Sequence, residues 1–351
     1  MKEATYTQPD SLLSGVMEDF FSFPQSHPRH FNIGGHALDL SFCGQMDTSF
    51  FTDALEHLEE DQGRQDALRL CVIDVKTTGR HIPAALWEWP SVDAFNGDMK
   101  GLPERYYGNC NTITGTFILI DFKSARAIFW IYDVATLPEY ERSFPFRHIL
   151  YFWLRQTRFV LVHGGIVGRE NGGALLAGKG GSGKSTATLA CLDSDLFYAG
   201  DDFALLDTGS NYAHSLFNVA KLEEHNFSRF PHLVRHIANR ESLPKEKGQL
   251  FIHRFLPEKL IKGFPLKALL LPRYTGMKET RYRPATEAEA MKALAPSSIW
   301  ILRSDVLQLS KIARLVRTTP CYWLETGTDL PDIPSKITEI LEINNSAHAS
   351  H

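Results

Sequence analysis

Apolar positions along the chain follow two rhythms. Residues 31–42 and 68–75 read as strands, and residues 47–58 between them place apolar side chains at helical spacing. Residues 114–121 (TGTFILID) and 125–132 (ARAIFWIY) are β-branched and aromatic runs joined by Phe122, Lys123 and Ser124, which predicts a hairpin. Residues 79–111 hold Pro83, Pro90, Pro103 and several glycines, the pattern of a long irregular surface loop. Residues 137–156 read as helical after a proline-containing start.

From residue 158 the order becomes α/β. The pattern predicts a strand at 158–162, a turn at Gly164 and Gly165, a strand at 173–177, a helix at 184–192 and a strand at 197–200. Further on it predicts a strand at 268–271, helices at 287–294 and 297–315, a strand at 321–325 and a closing helix at 333–343. No period of 20 to 50 residues repeats. The expected organisation is a smaller α+β domain over residues 1–145, an α/β domain over 146–345 that carries the chemistry, and a disordered polar tail over 346–351.

With 351 residues, 43% hydrophobic and 22% charged, the chain has the composition of a folded globular protein large enough for two domains. A formal net charge of −4 lacks the footprint of a nucleic-acid or anionic-membrane binder, so neither is expected as a partner. Cys43, Cys71, Cys110, Cys191 and Cys321 are scattered without a CxxC pair, which points to a reduced, cytoplasmic setting. The opening MKEATYTQPD lacks the basic and apolar regions of a secretory signal, so no export is expected. The most apolar window, 148–167, is broken by Arg155, Gln156 and Arg158 and reads as a buried helix followed by a buried strand rather than a membrane span.

The chemistry concentrates at Gly178, Lys179, Gly180, Gly181, Ser182, Gly183, Lys184 and Ser185, which match the P-loop pattern. Glycines let backbone N–H groups curl inward toward phosphate oxygens, where a Cβ would obstruct. Lys184 is placed to reach the β- and γ-phosphates, the Ser185 hydroxyl to ligate Mg²⁺, and Thr186 to continue the helix whose positive end faces the anion. The context fits, with the buried-strand run Ala174 to Ala177 before the loop and the helix-compatible Ala187 to Leu192 after it. ATP and Mg²⁺ are thus the expected ligands. Asp201 and Asp202 follow an apolar run, at the strand end where open α/β sheets bind ligands. One carboxylate could hold Mg²⁺ and the other take a proton from an attacking hydroxyl; a strand-end turn with solvated acids has the same appearance.

Three pieces together resemble the HPr kinase family, whose nucleotide site is designed like that of ATP-dependent phosphoenolpyruvate carboxykinase. They are His163-Gly164-Gly165-Ile166-Val167, the loop GKGGSGKS, and Gly200-Asp201-Asp202, with 21 residues from His163 to Lys184 and 18 from Lys184 to Asp202. The resemblance implies an α/β P-loop kinase domain with Lys184 neutralising the transferring phosphate, Ser185, Asp201 and Asp202 at the metal, Asp202 also as general base and His163 near the transferring group. On its own, His163 reads first as a hydrogen-bonded histidine capping a buried strand, and it is the register of the resemblance that reverses this. Lys221, Arg254 and Arg273 are further cationic candidates, and Glu223 is either a second metal ligand or a solvated acid at a helix start. The family's glutamate-arginine-glycine signature is missing, since 216–224 reads LFNVAKLEE. The resemblance therefore does not extend to HPr as acceptor or to a reverse phosphorylase activity. It implies a serine kinase acting on a precursor peptide, a small protein or a small hydroxyl compound, with room for a homo-oligomer. A nucleotide-binding switch or scaffold without kinase activity is the alternative.

Overall fold

The computed structural model describes residues 9–302 and 306–348. The fold is mixed α/β, with several sheets, in two compact units. One comprises the described residues up to Thr52 together with Glu59–Trp153, and the other Asp53–Leu58 together with Leu154 onward. Among the described residues no helix is long and apolar enough to cross a membrane. All five cysteines are free and buried.

The first unit is built on a seven-stranded mixed sheet in which His36–Cys43, Leu68–Asp74 and Arg126–Ile131 run parallel side by side. The helix Pro9–Phe21, not among the expected elements, buries Leu13, Val16, Met17 and Phe20, an i, i+3, i+4, i+7 stripe, against Phe117, Leu119, Ile128 and Trp130. The expected hairpin is present as Thr116–Asp121 paired with Arg126–Ile131. The single strand expected at 31–42 is two, Arg29–Ile33 and His36–Cys43, turned back at Gly34 and Gly35. Both glycines have positive φ (59° and 90°), the geometry of a two-residue hairpin turn that matches strand twist. The 79–111 segment is less irregular than its prolines suggest, containing the short helix Ala84–Trp87 and the edge strand Tyr106–Asn111. The helix expected at 137–156 is split into Glu139–Ser143 and Arg147–Leu154, because Pro145 lacks an N–H and Phe146 sits at φ 58°.

In the second unit the strand Gly172–Ala177 lies between Gly164–Arg169, antiparallel to it, and Gly263–Tyr274, parallel to it. Its alternate side chains feed two cores. Ala174 and Leu176 pack with the helices Lys184–Cys191 and Asp332–His348, while Leu175 and Ala177 pack with Glu287–Leu302 and Val306–Thr318. Burial on both faces explains why this strand is a continuous apolar run rather than an alternating one. Three expectations change here. Gly164 and Gly165 open a strand rather than form a turn. The break placed near residue 295 is absent: one helix runs from Glu287 through Pro296 to Leu302. Residues 346–348, expected in a disordered tail, belong to the closing helix Asp332–His348, and 349–351 lie outside the described residues.

Candidate functional site

Strand register gathers the chemistry at one end of three adjacent strands. Ala177, just before the glycine-rich loop, pairs with Gly164, just after His163. Gly200, just before the aspartates, pairs with Ile166 on the other side of the same strand. Because 164–169 runs against both neighbours, its first residues meet the last residues of the other two. His163, the loop and Asp201-Asp202 therefore converge although 39 positions separate the first from the last.

The two glycines of the middle strand make this closeness sterically feasible. A Cβ on Gly165 would lie 2.4 Å from Thr188 Cγ2 and 3.4 Å from Asp201 Oδ1, and one on Gly164 would lie 2.8 Å from the Leu176 carbonyl. Helix Lys184–Cys191 can press on the strand only because that side chain is missing. In the loop, Gly181 (φ 75°) and Gly183 (φ 100°) occupy the left-handed region that glycine adopts without strain. The Lys184 ammonium, 5% exposed, donates to the carbonyls of Gly178 (2.7 Å) and Lys179 (3.1 Å). Burial lowers its pKa, and Asp201 and Asp202 act in the opposite direction.

The aspartate pair is asymmetric. Asp201 is fully buried, its Oδ1 accepts from the Asp202 N–H (3.0 Å), and its carboxylate is hydrogen-bonded by the Ser185 side chain. Burial first, then the charge of Asp202, pushes its pKa up to about 7. Asp202 is half-buried and faces the cleft, with φ 64°, a conformation that aspartate tolerates better than most side chains. Its carbonyl accepts from the Gly164 N–H (3.2 Å). Burial also lowers the pKa of His163 despite the opposing charge of Asp202, which favours the uncharged imidazole.

These groups wall a cleft of about 270 Å³ whose lining includes His163, Gly180, Gly181, Gly183, Lys184, Ser185, Thr186 and Asp202. Of the other expected site residues, Gly178 and Asp201 are buried behind it, Ser182 is half-buried in the loop, and Lys179 is exposed. The Ser182 Oγ is buried and has no hydrogen-bond partner.

No protein-family model matches the chain, and no curated protein matches it. Among solved structures it is similar to the HPr(Ser) kinase/phosphatase from Coxiella burnetii, at 13% sequence identity and a TM-score of 0.28, over 54% of this chain and 99% of that one. At that level of likeness the functional reading rests on the residues themselves.

The opposite wall of the cleft comes from a two-stranded ribbon, Val219–Leu222 paired with Gly248–Phe251, and the turn after it. Lys221 is 8% exposed, and burial pushes its pKa down to about 8 against the pull of Asp202, Glu246 and Asp201. Lys247 joins it from the other arm and pairs with Glu223 at 2.5 Å. Glu223 is thus an ion-paired wall residue, with His225 also 3.2 Å away. Of the cationic candidates only Lys221 reaches this cleft: Arg254 pairs with Asp53, and Arg273 is exposed near the end of its strand. Lys247, His225 and Asn226 were not anticipated. A lysine inside the otherwise apolar Val219-Ala220-Lys221-Leu222, followed by the candidate Glu223, is the signal that the sequence holds for this wall.

Mg²⁺ can be tested against the donor set. Among the described residues no group of three or more His, Cys, Asp and Glu could hold a metal by itself. Ser185, Asp201 and Asp202 supply hard oxygen donors, few in number, which suits a cation that binds through one or two carboxylates together with nucleotide phosphates.

Proposed function

We propose that the chain is an ATP- and Mg²⁺-dependent kinase that transfers the γ-phosphate to a serine-type hydroxyl of a peptide or small protein. One observation carries the reading: a phosphate-type glycine loop with its lysine, a histidine and a carboxylate facing a common cleft. Phosphoryl transfer asks a protein mainly for positioning and charge neutralisation. The loop amides and the helix start hold the phosphates, and Lys184 and Lys221 offset their charge. Asp202 takes the proton of the acceptor hydroxyl as its oxygen forms a bond to the γ-phosphorus. The bond from that phosphorus to the bridging oxygen breaks, and ADP leaves with the electron pair. His163 orients the groups around this centre by hydrogen bonding. Ser185, Asp201 and Asp202 would hold Mg²⁺, which supplies charge stabilisation at the phosphate oxygens. Asp201 also fixes Ser185 and the Asp202 backbone by hydrogen bonding.

The test is label transfer from γ-labelled ATP to a panel of serine-containing peptides, small proteins and free serine. Asp202→Asn is expected to keep ATP affinity within about three-fold while lowering transfer by at least about 100-fold, the usual range for a general base. Nucleotide binding without transfer to any acceptor would favour the switch or scaffold instead. Unchanged turnover in Asp202→Asn would remove that residue from the role of base.

A further inference from the structure

A second cleft, of about 300 Å³, shares Gly181, Gly183, Thr186, His225 and Asn226 with the first. From those residues the two diverge. The first leads to His163, Asp202 and Lys221, the second to Arg229, Tyr274 and Thr326. In a nucleoside triphosphate the reactive phosphorus and the base lie at opposite ends. With phosphates on the loop, the end bearing the carboxylate and histidine takes the transferring group, which directs the nucleoside into the other cleft.

The second cleft has the chemistry for that. Tyr274, the last residue of Gly263–Tyr274, leaves 55% of its surface open, where a core tyrosine would be covered. The Arg229 guanidinium lies 5.9 Å from its ring centroid. Arg229 Nη1 donates to Asn226 Oδ1 at 3.5 Å, while its Nη2 is buried without a hydrogen-bond partner. A guanidinium has only donors, and a buried N–H lacking an acceptor is costly, so the group calls for an acceptor brought by a ligand. A purine offers both a π-face for the tyrosine and ring nitrogens that accept. We propose that this cleft is the base subsite of the nucleotide site, with a purine stacked on Tyr274 and Arg229 donating to its edge. The proposal rests on the phosphate-binding part of the reading above and adds the residues that recognise the nucleoside.

Calorimetric titration of the full chain with MgATP and with magnesium tripolyphosphate tests it. Tyr274→Ala is expected to weaken ATP about ten-fold, as expected when base stacking is lost, while leaving tripolyphosphate within about two-fold. Tyr274→Phe keeps the ring and should bind ATP as the parent does. Arg229→Met should also weaken ATP selectively, a check that does not depend on the tyrosine. Unchanged ATP affinity in both Tyr274→Ala and Arg229→Met, or equal loss of ATP and tripolyphosphate, would overturn the base subsite. A parent that binds tripolyphosphate as tightly as ATP overturns the subsite but leaves the phosphate loop standing. A parent that binds neither overturns the nucleotide reading, and the subsite with it.

Discussion

Lys221 shows how a single charge ties burial to function. Its folded pKa of about 8 lies below the ordinary 10.5, so the fold disfavours the ammonium. That cost to stability is present below about pH 8 and is relieved as pH rises from there toward 10.5. Under the proposed function, triphosphate binding would run the opposite way, because it favours the charged form. Affinity for tripolyphosphate is therefore expected to fall as pH rises through about 8, and Lys221→Met should bind more weakly at pH 7 and lose that decline. Identical pH profiles for the two proteins, measured by titration calorimetry, would remove Lys221 from the phosphate site. Asp201 carries the complementary cost. Its raised pKa means that stability present below 3.8 is lost as pH climbs to about 7. At this scale the sequence disclosed what is local. Lys184, Ser185 and Asp202 stand in short motifs that single them out as candidates, whereas Lys221, Lys247 and Arg229 sit in segments with no motif and acquire their position only from the ribbon and turn that carry them.

Among the elements, the strand Gly164–Arg169 is the one on which the candidate site depends, and its glycines were misread. Two adjacent glycines usually punctuate a turn, and nothing in the local sequence says that they instead clear space for a helix packing from above. The same limit applies to the helix expected at 137–156, where apolar spacing persists through Pro145 but the backbone cannot. Strand and helix placement around the glycine-rich loop was legible, because a strand buried on both faces is continuously apolar and the loop marks its end. Gly165→Ala tests the packing argument. With Thr188 Cγ2 only 2.4 Å from the new methyl, the substitution is expected to destabilise the protein by about 1–3 kcal/mol in urea unfolding. Thr188→Ser deletes that Cγ2 and should restore most of the loss when combined with Gly165→Ala. Simple additivity of the two substitutions would mean that the strain lies elsewhere.

For the whole chain, a linear division hides that six residues from the first sixth of the sequence belong to the second unit. Asp53–Leu58 was expected to continue a helix begun at 47, yet it forms a 3-10 segment with Ala54, Leu55 and Leu58 buried. Asn218 explains the change. Its Nδ2 donates to the Asp53 carbonyl (2.8 Å) and its backbone N–H to the Ala54 carbonyl (2.9 Å), occupying the acceptors that a regular helix would use four residues on. The His57 imidazole meets the Ser215 hydroxyl at 2.6 Å, and Asn218 Oδ1 is paired with His253 Nδ1 at 2.9 Å. No helical or strand periodicity can announce such an arrangement, because its partners are 165 residues apart. Asn218 immediately precedes the strand Val219–Leu222 that carries Lys221, so anchoring the 53–58 segment also anchors one wall of the cleft. Asn218→Ala strands the buried Asp53 carbonyl and the His253 nitrogen, and is expected to cost about 1–3 kcal/mol in chemical denaturation. If the anchoring argument holds, the same variant should also bind tripolyphosphate more weakly at pH 7 at temperatures well below its unfolding transition. A loss of stability with unaltered affinity would show that the segment braces the fold without shaping the cleft, and full retention of both would show that its hydrogen bonds are replaced by water.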